Sequence, residues 1–196
     1  MTATRGWMDA CTMLFLDALD GLSDAELDAP TALPGWTRRH VVAHVHLNAE
    51  ALRNLLHWAR TGEVTSMYVS REARDADIER GATLPARQLR ALVRESAAAL
   101  AADMDALPEE AWRREVRTAQ GRPVPATEIP WMRTREMAIH GVDLGAGIGF
   151  EDLPEGLTAA LAVDAVRKHA AGAAGPGLAA WLTGRTSQAP VLEPWL

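Results

Sequence analysis

Ile129-Pro130-Trp131-Met132-Arg133-Thr134-Arg135-Glu136-Met137-Ala138-Ile139-His140-Gly141-Val142-Asp143-Leu144 reads as one helix, beginning about Pro130 and stopping at Gly145. Proline suits a first turn, where its missing N–H has no helical partner, and glycine ends helices by taking a left-handed conformation. Glu136 and His140 are four residues apart. That spacing sets both side chains on one face, one above the other.

A partner for that face lies upstream. Thr37 can cap a helix that runs to about Arg60 and is ended by Gly62. Val41, Val45, Leu52, Leu55 and Leu56 give it an apolar stripe, while His40, His44 and Asn48 share a face and His46 points elsewhere. Two helices of a bundle that turn ligand-bearing faces inward can assemble a metal site in its core. Two histidines and one glutamate form an open zinc set with a position left for water or substrate. Nickel, iron and manganese accept the same donors. Spacing alone leaves Glu136 and His140, with a histidine of that second helix, open between a metal site and a buried hydrogen-bonded pair, and the short HExxH signature of zinc peptidases is absent. His40 reads equally as a surface residue beside Arg38 and Arg39.

The rest of the chain supplies the other helices. Trp7, Met8, Cys11, Leu14, Phe15, Ala18, Leu19 and Leu22 fall at helical spacing over about residues 4–22. Ser23 with Glu26 is a capping box for a short helix. Pro30, Pro34 and Gly35 mark a loop. A third segment begins near Ser70, is broken by Gly81 and Pro85, and resumes to about Leu107. Residues 115–130 are extended and turn-rich. Four main helices result, the number a bundle requires, so the fold class is all-α. After Gly149 the composition shifts, with one helix over Leu153 to Ala171 and a short one carrying Leu178, Trp181 and Leu182. The expected division is 1–149 for the bundle and 150–196 for a small C-terminal region.

Composition bounds the function. The chain has 196 residues, 48% of them hydrophobic and 23% charged, with a formal net charge of −6. Disorder is excluded by that balance, and nucleic-acid binding lacks the basic face it needs. Lys168 is the only lysine, so an anion site here is built from arginine, which grips carboxylates with two parallel N–H groups. The one cysteine, Cys11, lies on an apolar helical face and reads as a packed thiol. Without a disulfide pair, a basic-then-apolar leader, or a run of about 18 apolar residues, the expectation is a cytoplasmic protein that does not enter membranes.

Three strings sharpen the reading. Leu33-Pro34-Gly35-Trp36-Thr37-Arg38-Arg39-His40-Val41-Val42-Ala43-His44, Met67-Tyr68-Val69-Ser70-Arg71-Glu72-Ala73-Arg74-Asp75 and the Ile129–Leu144 helix resemble, in order, bundle segments of the mycothiol-dependent maleylpyruvate isomerases. These belong to the DinB-like group of metal-binding four-helix bundles. The resemblance implies that His44, Glu136 and His140 hold a divalent metal, zinc first among candidates. Trp181-Leu182-Thr183-Gly184-Arg185 and the closing Leu192-Glu193-Pro194-Trp195-Leu196 resemble the end of the family's C-terminal domain, which implies a catalytic role for Arg185. The stretch between the bundle and that motif is much shorter than in two-domain members, so a reduced C-terminal region is expected.

The implied chemistry uses mycothiol as a thiol cosubstrate and a small electrophile such as a cis-enedioate. Addition of the thiolate, rotation about the resulting single bond and elimination would convert maleylpyruvate to fumarylpyruvate. Stopping after addition would make the protein a mycothiol S-transferase. A non-catalytic metal- or thiol-binding protein and a metal hydrolase are further alternatives. Asn48, Tyr68 and Arg74 are candidates for contact with the thiol or substrate, with helix packing the competing role for Asn48. Trp36 and Trp131 are expected to wall the core or pocket. Asp143 is expected to lie off the face of His140 and is not offered as a ligand; a support behind a ligand is one reading, and stabilising a helix end or a loop is the commoner one. Monomer and homodimer are both compatible with these features.

Overall fold

The computed structural model describes residues 2–193 and 195. Pro194 and Leu196 of the closing motif lie outside the described residues. The chain forms two compact units, Met1–Asp152 and Leu153–Leu196.

The first unit contains five α-helices: α1 (Thr2–Gly21), α2 (Arg38–Thr61), α3 (Arg71–Ala82), α4 (Ala86–Asp105) and α5 (Ile129–Asp143). α1 packs on α5, α2 packs on α4, and α2 also touches α5, so α1, α2, α4 and α5 form the four-helix bundle, with α3 laid on α2. α2 is central because it presents apolar residues on several faces: Val41, Val42, Val45, Leu52, Leu55 and Leu56 are all buried. Its ends are set locally. Thr37 and His40 form a capping box, and Gly62 closes the helix at φ 82°, a left-handed conformation that glycine adopts without steric cost. Ser23 and Glu26 also pair as expected, though the turn they start is a single 3-10 turn, Glu26–Asp28.

Gly81 differs from its sequence reading. It does not break the third segment, because α3 continues through it to Ala82. The absent side chain serves contact instead: a Cβ at Gly81 would lie 2.8 Å from the Cβ of Ala43, too close without a shift. Glycine here lets α3 settle against the first half of α2. Ser70 fixes the other end of α3 by accepting a hydrogen bond from the Ala73 N–H.

The extended segment folds as a two-stranded antiparallel ribbon, β1 (Glu115–Arg117) with β2 (Pro123–Pro125), Val116 facing Val124. A lone ribbon is marginal in water. This one is anchored because Val116 and Val124 are buried in the same apolar cluster as Leu52, Leu55 and Leu100.

The second unit holds α6 (Leu157–Ala170) and α7 (Gly175–Leu182), packed on each other. α6 starts after Gly156, later than the sequence expectation, because Pro154 and the left-handed Gly156 form a turn before it. Among the described residues no helix is long and apolar enough to cross a membrane.

Candidate metal centre

α2 and α5 bring three donors together in the bundle core. His44 Nε2 lies 2.8 Å from Glu136 Oε2, and His140 Nε2 lies 3.3 Å from the same oxygen. One donor atom from each of these residues falls within 4.8 Å of the others. His44 is 4% exposed and His140 6%, so water competes little for their nitrogens. Two imidazoles and a carboxylate, buried and converging from two rigid helices, fit a divalent cation such as zinc.

The charge states follow from this closeness. Burial works against ionising Glu136, but hydrogen bonds from His140 and His44, and their charges, take its carboxyl well below the usual carboxylate range. Burial first, and then the charges of His140 and Arg74, pull the His44 imidazole down against the lift from Glu136. Burial opposes the charge of His140 too, yet hydrogen bonds to Asp143 and Glu136 carry it up to about 9. At neutral pH the site therefore holds a carboxylate and a protonated His140, with His44 the less basic of the two rings.

Supporting side chains surround the donors. Asp143 Oδ2 accepts from His140 Nδ1 at 2.9 Å. The expectation that Asp143 lies off that face is therefore wrong: residues three apart on a helix are neighbours, and the last turn of α5 places the carboxylate beside the ring. Of the two readings left open for Asp143, the contact favours a support over a helix-end residue. A carboxylate behind a histidine fixes the tautomer that frees Nε2 for a metal. Trp36, in the loop before α2, sets its ring 5.6 Å from that of His44 and 6.5 Å from that of His140, forming a wall over both. Trp131 packs elsewhere, against Trp7.

The candidate ligand contacts separate. Tyr68 and Arg74 lie at the centre. Arg74 Nη2 reaches His44 Nδ1 at 3.3 Å, and its guanidinium sits 5.7 Å from the Tyr68 ring centroid. Burial and the Glu136 charge push the Tyr68 phenol up, against the opposing pull of Arg74 and Asn48. Asn48 is buried, and its Oδ1 accepts from Arg133 Nη1 at 2.8 Å. Arg185 belongs to the second unit, is exposed, and donates to the Thr183 carbonyl at 2.5 Å. Cys11 is buried away from solvent, and burial pushes its thiol up to about 11, which suits a packed thiol. His40 is half-buried and occupied in the α2 cap, so the sequence reading of a surface residue beside Arg38 and Arg39 describes it only in part.

Sequence reasoning missed Arg133. It is 1% exposed, donates to Val45 O and Asn48 Oδ1, and leaves Nη2 without a hydrogen-bond partner among the described residues. Burial draws its guanidinium down to about 10, still protonated at neutral pH. The usable signal was its position three residues before Glu136, on the face that carries the site.

Residues 8–145 match the family profile of the mycothiol maleylpyruvate isomerase N-terminal domain. A crystal structure of the mycothiol-dependent maleylpyruvate isomerase is 45% identical, with TM-score 0.79, covering 84% of this chain and 68% of its own. A histidine-to-alanine mutant of that isomerase matches at 44% identity, TM-score 0.79 and the same coverage. YfiT from Bacillus subtilis, a four-helix bundle of unusual topology, is 19% identical with TM-score 0.57, covering 72% of this chain and 85% of its own, a likeness of fold alone. The chain has no significant match among curated proteins.

Proposed function

Because this chain belongs to the mycothiol maleylpyruvate isomerase N-terminal-domain family, we propose that it is a metal-dependent isomerase that uses mycothiol to convert maleylpyruvate to fumarylpyruvate. The observation that carries this reading is the convergence of His44, Glu136 and His140 on one buried point, with Asp143 behind His140. Zinc is the proposed metal, from the mixed nitrogen and carboxylate donors.

A divalent metal held there supplies a lowered thiol pKa, so that thiolate is present at neutral pH. The sulfur adds to one carbon of the cis double bond, and the displaced electron pair moves onto the conjugated carbonyl oxygen. The former double bond is now single and rotates. Collapse of the oxygen charge expels the sulfur and leaves the trans double bond, with the thiol regenerated. The chain's own residues bind, orient and shield. Trp36 covers both histidine rings and limits water. Tyr68 and Arg74 are the proposed contacts for the carboxylates of substrate or the polar groups of mycothiol, with Asn48 holding Tyr68 and Arg133 in place. For Arg185 we keep the catalytic role that the family resemblance implies. The second unit is taken as the shortened counterpart of the family's C-terminal domain.

The test is a mass-resolved turnover assay of zinc-loaded protein with mycothiol and maleylpyruvate. Thiol-dependent fumarylpyruvate without net thiol consumption is the expected result. Stoichiometric thiol consumption into an adduct would reassign the protein as a mycothiol S-transferase. No conversion by protein that retains metal and binds mycothiol would overturn the isomerase and favour a conjugating transferase that acts on other electrophiles.

A further inference from the structure

The two metal-site histidines are backed by opposite partners. His140 Nδ1 faces the Asp143 carboxylate at 2.9 Å, and His44 Nδ1 faces the Arg74 guanidinium at 3.3 Å. The first is an acceptor only, and the second is a donor only. A neutral imidazole carries one ring proton, on either Nδ1 or Nε2. Since Arg74 can only donate, His44 Nδ1 accepts and the proton sits on Nε2, where it is donated to Glu136 Oε2 at 2.8 Å. An imidazole nitrogen that binds a cation has no proton. His44 Nε2 must give its proton up when it becomes a ligand, and a neutral ring then carries it on Nδ1. That places an N–H against the N–H of Arg74, two donors with no acceptor between them. His140 meets no such conflict, because its Nδ1–H already points to a carboxylate.

We propose that binding a divalent metal at His44 expels the Arg74 guanidinium from His44 Nδ1 and frees it for a carboxylate ligand. This rests on His44, Glu136 and His140 being the metal donors. The side chain moves and the helix stays. Arg74 is 28% exposed at its side chain, whereas α3 is fixed by the Ser70 cap and by the close approach of Gly81 to Ala43. The released guanidinium offers parallel N–H groups, the geometry that grips a carboxylate. Nη1 stays on the Asp75 carboxylate at 2.8 Å, so the edge that is released is the one carrying Nη2. The protein thus has an order built into it: a dianionic ligand meets that edge of Arg74 only after the metal is in place.

Competition with a chromophoric chelator measures the zinc affinity of the native protein, Arg74→Met and Arg74→Gln. Both variants are expected to bind zinc more tightly than the native protein, by roughly tenfold, the scale of a support lost or gained behind a metal ligand. Arg74→Gln should exceed Arg74→Met, because its amide oxygen can accept from His44 Nδ1–H. Native affinity equal to or above that of both variants would overturn the proposal. Equal tightening by Met and Gln would assign the effect to lost charge and overturn it as well. Failure of the native protein to take up zinc at all would refute the metal site itself, a distinct outcome. As a second readout, 15N spectra of histidine-labelled protein should show the His44 ring proton on Nε2 without zinc and on Nδ1 with it. An unchanged tautomer in zinc-loaded protein would refute the displacement.

Discussion

The two halves of α2 are both buried, but only the first buries polar side chains among its apolar ones. In the second half, Leu52, Leu55, Leu56 and Ala59 sit in an apolar cluster with Leu100, Val116 and Ile129. In the first half, His44 and Asn48 are as deeply covered but each is hydrogen-bonded, to Glu136 and to Arg133. Apolar burial gains free energy in proportion to area removed from water, whereas polar burial costs free energy unless a partner is supplied. One helix therefore divides its labour: the leucine end stabilises the bundle, and the histidine end holds a site whose charges would be costly without one another.

That division can be broken by substitution. Removing a donor should have the largest effect. His44→Ala is expected to lose metal retention while the bundle stays folded, and elemental analysis after gel filtration reads the loss. Full metal occupancy in that variant would sink the site. Next comes the leucine end. Leu55 is wholly buried, so Leu55→Ala should lower unfolding free energy by about 2–5 kcal/mol in denaturant titration. The zinc affinity of its folded fraction should match the native value, and a parallel loss of both would show that the two halves are not separate.

Asp143→Ala sharpens the comparison within the site. The carboxylate behind His140 should be worth about 10–100-fold in zinc affinity, measured by chelator competition. An unchanged affinity would reduce Asp143 to a helix-end residue.

Acidity gives the smallest and most graded effect. The His140 imidazole is raised to about 9, so at neutral pH it must release a proton to become a ligand. Zinc affinity should rise about tenfold per pH unit between pH 6 and 8 and level off near 9. Stability without metal should move the other way. A raised imidazole stabilises the fold fully below its unfolded value of about 6.5, and that contribution fades as pH rises through about 9. Thermal melts of metal-free protein that gain stability over this range would contradict the assigned charge state.

Much of this was readable in the sequence, and the reasons are local. Periodicity and end signals such as Thr37, Gly62 and Ser70 located α2, α3 and α5, because those residues satisfy or terminate backbone hydrogen bonds near themselves. The four-residue step from Glu136 to His140 put two donors on one face before any tertiary contact was known. The resemblance pointed to His44 as the third, across ninety residues of chain, and the folded geometry joins it to the pair. What stayed hidden depended on pairing between helices. Arg133 looks like any surface arginine until α2 supplies Val45 O and Asn48 Oδ1. Gly81 looks like a breaker until Ala43 is found against it. Arg74 was a loose candidate on its helix, and only the approach of α3 to α2 sets it behind His44.

The most direct test of the account is a zinc titration of chelator-stripped protein, with turnover of maleylpyruvate in the presence of mycothiol followed at each addition. Activity should be absent at the start, rise in proportion to zinc, and saturate at about one equivalent per chain, as one donor set of three residues requires. Turnover by the stripped protein, or by His44→Ala at native rates, would contradict the claim that these three residues form the working centre.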